Sequence, residues 1–240
     1  MTLDEGQIGA FIVASFRMGG LVLTAPVVGD GGVSSRAKLV LVFAVAFAIG
    51  STRPEVSFAD LPVTGLLELV VGLLTGLSAK FVVSRVAIAG QLIGLSLGLG
   101  FASQYDPHAG ESAGTIRVLA TTLASLAFVA SGGLEAIVRG AAAAPATPSD
   151  LMAIGGHVLA DGVGAFGRGV AIAAPIMLAG IIGNLGLAVM NRAAPAMNVF
   201  SVALPAVLVL GGLAMIGSST GFAGATLDAS REAIERLLGG

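Results

Sequence analysis

Cysteine and tryptophan are absent from this 240-residue sequence, and tyrosine occurs once, at Tyr105. Without cysteine there can be no disulfide, no thiolate metal ligand and no cysteine nucleophile. The two histidines, His108 and His157, stand far apart with no ligand spacing around either, so no metal site is expected. Charge is scarce as well: 11% of residues are charged, the net charge is −2, and no basic run occurs. Nucleic acid is excluded as a partner on that ground, because its phosphates are held by clustered Lys and Arg. Gly98-Leu99-Gly100 opens a dinucleotide-like pattern, but it lacks the third glycine and sits in an apolar run rather than after a strand. Ser, His and Asp form no recognisable nucleophile arrangement. The expectation is a protein with no catalytic residues and no cofactor.

What is abundant is apolar. Hydrophobic residues make up 55% of the chain and the mean hydropathy is +0.97, far above a soluble domain. An all-α integral membrane protein is the class this composition supports. Many of its 36 glycines fall inside the apolar runs, where they report close helix packing. Proteins bathed in lipid usually carry Trp and Tyr belts at both interfaces. The missing belt points to a subunit largely surrounded by other protein.

Residues 7–28 form the first apolar segment, with Arg17 at its centre and Pro26 at its end. A cation in that position needs a partner, water or carbonyl oxygens, so Arg17 is expected to face protein. Ser34 and Ser35 are candidate caps for a second, short segment at 37–50. From 63 to 103 the chain is almost continuously apolar, twice the length of a span. Lys80 and Arg85 offer a natural break into 63–79 and 86–103. Glu68 is the conspicuous carboxylate in this run, four residues before Gly72 and eight before Gly76, and Arg17 is the first candidate to pair with it. A segment at 114–131 follows, weakly extended to 143, then a Pro-rich turn with Asp150 as a plausible cap. Small-residue helix from 151, an apolar run at 165–190 containing Pro175, and a run at 198–216 containing Pro205 complete the spans, both prolines predicting kinks. The tail from 227 reads as a short amphipathic helix. With the N-terminus outside and seven crossings, Arg36, Lys38, Lys80, Arg85, Arg139, Arg168, Arg231 and Arg236 lie toward the cytoplasm and Arg53, Arg117 and Arg192 opposite.

Near the middle, Gly90, Gly94, Gly98 and Ala102 recur every four residues, one strip of bare backbone against which another helix can lie. The helix then gives way to Gln104-Tyr105-Asp106-Pro107-His108, where Pro107 forbids continuation. By its residues alone this loop is either an ordinary interhelical turn or a functional segment.

Asn191 to Ala206, NRAAPAMNVFSVALPA, placed after a helix containing Pro175 and Asn184, resembles the signature of the R-subunit family of the bacterial flagellar export gate, the FliR proteins. Arg192, Pro195, Asn198, Phe200 and Pro205 match that pattern, while Ala196 stands where the family commonly has Gln. Arg17, Pro26, Glu68-x-x-x-Gly72-x-x-x-Gly76, Gly90-Gln91, Gly98 and Asp106-Pro107 follow in the family's order, covering nearly the whole chain. The resemblance implies Gly-rich, kinked helical hairpins, with a part resembling a P subunit over 1–145 followed by a part resembling a Q subunit over 146–240. It implies a pore-plugging loop at 101–111, with Phe101, Gln104, Tyr105, Asp106, Pro107 and His108 as its residues. It further implies assembly with P and Q subunits, contacts with the B subunit and the large A subunit, and passage of unfolded exported proteins. The location would be the bacterial inner membrane, in the flagellar basal body. Related virulence secretion subunits often carry a lysine soon after the proline matching Pro205. Here Ala206-Val207-Leu208 follows, which favours the flagellar branch.

Two other classes stay open from the residues. A small secondary transporter would use Arg17, Glu68 and Asn184 to line a substrate or proton path. A membrane scaffold would have no pathway.

Overall fold

The computed structural model describes residues 5–97, 115–142 and 144–193, together with 209, 213 and 224. All regular structure among them is helical: α1 Glu5–Thr24, α2 Ser35–Gly50, α3 Leu61–Ser96, α4 Thr115–Ala130, α5 Gly133–Ala142 and α6 Pro148–Ala193. Glu5–Thr24, Leu61–Ser96 and Pro148–Met190 are each long and apolar enough to cross a membrane, and 116–130 with 133–142 qualifies as a bent pair. The all-α membrane class is therefore what the chain adopts. Among the described residues, the segments expected separately at 63–79 and 86–103 are one helix.

The break expected at Lys80 and Arg85 does not occur. Helix α3 runs through Lys80 and Arg85 uninterrupted for 36 residues, about 54 Å at ~1.5 Å per residue. Lys and Arg are good helix formers, and charge alone supplies no backbone reason to stop. The small-residue helix from 151 and the apolar run at 165–190 form one helix of 46 residues with Pro175 inside it. At about 69 Å it far exceeds the ~30 Å hydrocarbon thickness.

Helix ends follow local chemistry. Ser34 caps α2, its Oγ accepting from the Ala37 N–H at 3.3 Å. The cap of α6 is Thr147 rather than Asp150. Asp150 accepts from the Thr147 N–H at 2.8 Å while its own N–H donates to Thr147 Oγ1 at 3.3 Å, a reciprocal box with Pro148 at the first helical position. Helix α1 ends before Pro26, where Val27 takes a φ of 70° and the Val28 N–H donates to the Pro26 carbonyl at 2.8 Å, a γ-turn. The weak extension beyond 131 is a separate helix, because Gly132 adopts a φ of 87° and closes α4 with a left-handed residue.

The chain forms two compact units, divided among the described residues at points inside α3, α4 and α6. Of the described residues, the first holds 5–83, 128–142 and 144–164, and the second 84–97, 115–127 and 165–193 with 209, 213 and 224. In the first, α1 buries Ala10, Val13, Ala14, Met18, Leu21 and Val22. Phe11 of α1 meets Phe43 and Phe47 of α2, with ring centroids 6.3 and 6.4 Å apart. In the second, Ala89, Ile93 and Leu97 pack with Ala173 and Ile176. Lipid is as apolar as these side chains, so dispersion and close fit, not expulsion from lipid, hold such contacts.

A buried charge cluster and two glycine seams

In the first unit α1 and α3 touch backbone to backbone. A Cβ on Gly72 would strike the Arg17 carbonyl oxygen, one on Gly20 the Leu69 carbonyl, and one on Gly76 the Thr24 hydroxyl. Each helix thus presents glycine to a carbonyl of the other, an approach that a single methyl group closes off. Thr24 Oγ1 bridges the seam by donating to the Leu73 carbonyl at 2.9 Å.

This seam carries three charges. Arg17 Nε lies 2.6 Å from Glu68 Oε2, and Arg53 Nη1 reaches the same oxygen at 3.1 Å. Glu68 is 0% exposed and the two arginine side chains 4%, so water does little to screen them. The other carboxylate oxygen, Oε1, accepts the Ala146 N–H at 2.8 Å. Arg53 Nη2 donates to the Ala141 carbonyl at 2.8 Å and Arg17 Nη1 to the Ala144 carbonyl at 3.1 Å. Two cations on one anion would leave an excess positive charge, and the backbone offsets it. Ala141 lies in the last turn of α5, where unpaired carbonyls carry the negative end of the helix dipole, while Ala146 lies just before α6, at a positive end. Arg53 therefore sits against the end of α5, Arg17 against the linker beyond it, and the glutamate against the start of α6.

The sequence pointed to Arg17 and Glu68 as partners, and they meet. It did not point to Arg53, which the charge-based topology set with Arg117 and Arg192 on the side opposite the other eight basic residues it assigned. Its signal was weak because a cation in a polar loop needs no explanation. Asp161 was also missed: it is 4% exposed and accepts from Ser78 Oγ at 3.1 Å. An acid flanked by Ala160 and Gly162 in an otherwise apolar stretch was the available clue.

The second glycine seam is looser. A Cβ on Gly90 would come 2.5 Å from Ala120 Cβ and 3.0 Å from the Ile116 carbonyl, both of α4. Gly94 has room, its nearest neighbour being Ile116 Cβ at 3.7 Å. The strip is a contact face, but Gly94 does not need to be glycine for α4 to lie there. In the same unit Asn184 donates to the Ser96 carbonyl at 3.4 Å.

Pro26 is fully buried directly after α1, and Arg192 is exposed in the last turn of α6. Gly98, Phe101, Gln104, Tyr105, Asp106, Pro107, His108, Pro195, Asn198, Phe200 and Pro205 lie outside the described residues, as does the loop 101–111.

Comparison with known proteins gives the family. Residues 8–233 match the family model described as bacterial export proteins, family 1. The flagellar biosynthetic protein FliR of Aquifex aeolicus is 32% identical over 221 residues, 88% of this chain and 85% of that protein. The proteins of the same name from Escherichia coli and Caulobacter vibrioides are 28% and 25% identical, over 81% and 98% of this chain and 78% and 97% of their own lengths. With nearly its whole length matched, the chain belongs to the bacterial export proteins, family 1.

Proposed function

We propose that this chain is a subunit of the flagellar type III export gate in the bacterial inner membrane, assembled with P and Q subunits into the channel that passes unfolded flagellar proteins. The observation that carries the reading is the family match over residues 8–233, together with full-length relatives that are flagellar biosynthetic proteins. The surface supports it. Only 17% of the apolar window of α6 is buried within the chain, and Met152, Leu159, Val163, Phe166, Ile182 and Leu185 stand exposed along it. With no tryptophan and one tyrosine in the sequence, that surface suits coverage by neighbouring subunits better than an aromatic-belted lipid boundary. In this reading 1–145 is the P-like part, 146–240 the Q-like part, and 101–111 the plug of the closed pore. The B and A subunits are further partners, and the basal body is the location.

The buried charges act as a structural lock, not as catalytic or transport groups, because each of the three closes on a partner or on backbone. The transporter alternative would need Arg17 and Glu68 open to a path.

One experiment tests both the assembly and the plug. The complete gate is purified through this chain from cells carrying either the natural loop or a loop shortened between 103 and 110. Copurification of P and Q subunits is expected with both, and leakage of small ions only with the shortened loop. Absence of the partners would overturn the gate reading, and a tight shortened gate would make the loop an ordinary turn.

A further inference from the structure

The turn that joins α1 to α2 is built against the preference of its central residue. Val27 holds a φ of 70° while the Val28 N–H donates to the Pro26 carbonyl at 2.8 Å, and a γ-turn of that hand is the rare, strained one. A β-branched residue is an outlier there, where glycine would stand freely. Among the described residues Val27 is the one non-glycine residue with a positive φ.

Its surroundings hold the turn in this form. Asp30 Oδ2 accepts the Val27 N–H at 3.3 Å, and the Gly29 N–H donates to the Ala25 carbonyl at 2.8 Å. Lys80 of α3 stands 3.6 Å from Asp30 Oδ1, on the side of the turn away from α2. Lys38 comes from α2 itself, and its Nζ donates to the carbonyls of Gly29 and Asp30 at 2.8 and 3.1 Å. That ammonium ties the start of α2 back to the turn. Packing does little there: the buried residues of α2 are Val42, Ala46, Ile49 and Gly50, all in its second half, and none of residues 35–41 is buried. A Cβ on Gly50 would stand 3.2 Å from the Phe11 Cα, so the second half lies close on α1. Few buried apolar contacts mark the part of a structure that opens most readily.

We propose that the α1–α2 turn is a loaded hinge. The strained form has a relaxed counterpart in which Val27 returns to a negative φ, Lys38 releases the two carbonyls, and the first half of α2 swings away from α1 on the packed second half. Strain favours release and Lys38 opposes it, and that opposition is what gives the element two states. The proposal goes beyond the export reading and does not rest on it.

The absence of cysteine lets two labels be placed without background. Ile8→Cys and Leu39→Cys, at exposed positions of α1 and α2, carry nitroxides on the full chain in detergent, and pulsed electron resonance reads the distance between them. The natural turn should give a main distance and a minor second one. Lys38→Gln should raise the second population about tenfold relative to the first, since two hydrogen bonds from a charged donor are lost. Val27→Gly should lower it about fivefold, because glycine removes the strain from the main form. Placed in the Lys38→Gln chain, it should restore most of the natural balance. A single distance that neither substitution alters would overturn the hinge. A Lys38→Gln response that Val27→Gly leaves untouched would overturn it as well, since strain would then not drive the release. Val27→Gly suits the folded backbone, so it keeps the test open should Lys38→Gln fail to fold. Amide exchange on the unlabelled chain gives a second readout: the Val28 N–H should exchange more slowly in Val27→Gly than in the natural chain, and equal rates would count against the proposal.

Discussion

The two glycine seams look alike in sequence and differ in what stops them from tolerating a methyl group. At Gly72 and Gly20 the obstacle is a backbone carbonyl of the opposite helix, which cannot move without moving the helix. At Gly90 the nearest atom is the Ala120 side chain, and at Gly94 nothing is close. The first seam also encloses Arg17, Arg53 and Glu68, whereas the cluster next to the second is apolar. Small-residue spacing therefore announces a contact without saying how rigid it is. Rigidity comes from whether backbone or side chain fills the gap.

The sharpest way to break this comparison is at the charges. Glu68→Gln leaves two buried arginines without the acid they share, and loss of one member of such a cluster costs about 3–5 kcal/mol. Arg17→Gln should cost less, since Arg53 still faces the carboxylate at 3.1 Å. Thermal unfolding in detergent, or accumulation of the chain in the membrane, measures both. An arginine variant as damaging as Glu68→Gln would show that the cluster is not organised around the acid. Removing only Arg17 and Glu68 together should give no relief, because Arg53 then stays buried without an anion.

Next comes Gly72→Ala. Overpacking against backbone typically costs about 1–3 kcal/mol, and shortening a facing side chain cannot relieve it. A melting temperature unchanged by Gly72→Ala would remove the distinction between the seams.

The smallest effects are expected in the second unit. Gly90→Ala should destabilise the chain measurably and be largely rescued by Ala120→Gly, which removes the Cβ standing 2.5 Å from the introduced one. Gly94→Ala should fall within about 0.5 kcal/mol of the natural chain. Failure of the Ala120→Gly rescue would mean that the Ile116 carbonyl is the controlling contact, making both seams backbone-limited.

Which parts were legible follows from what each residue costs where it stands. Arg17 and Glu68 announced themselves because an ion in an apolar run demands a partner, and each was the other's most plausible one. Arg53 was hidden by its polar loop. Ala141, Ala144 and Ala146 could not have been found at all, since they contribute only backbone groups, and alanine carries no mark of where its carbonyl points. The uninterrupted course of α3 was misjudged for a related reason. A span-length rule says where a helix ought to leave a membrane, but helices end at backbone signals such as the turn at Pro26 and Val27 or the left-handed Gly132.

By itself, then, the sequence determined the membrane class, the helical content, the close-packed glycine faces and the pairing of two isolated charges, because each follows from composition and local spacing. Only the tertiary structure decided that a third charge completes the cluster, that backbone carbonyls at and beyond the end of α5 offset its excess positive charge while an amide before α6 holds the acid, and which glycines are indispensable. Those outcomes depend on where backbone carbonyls and amides from distant segments converge, and every residue carries the same backbone groups, so the side-chain alphabet does not record them.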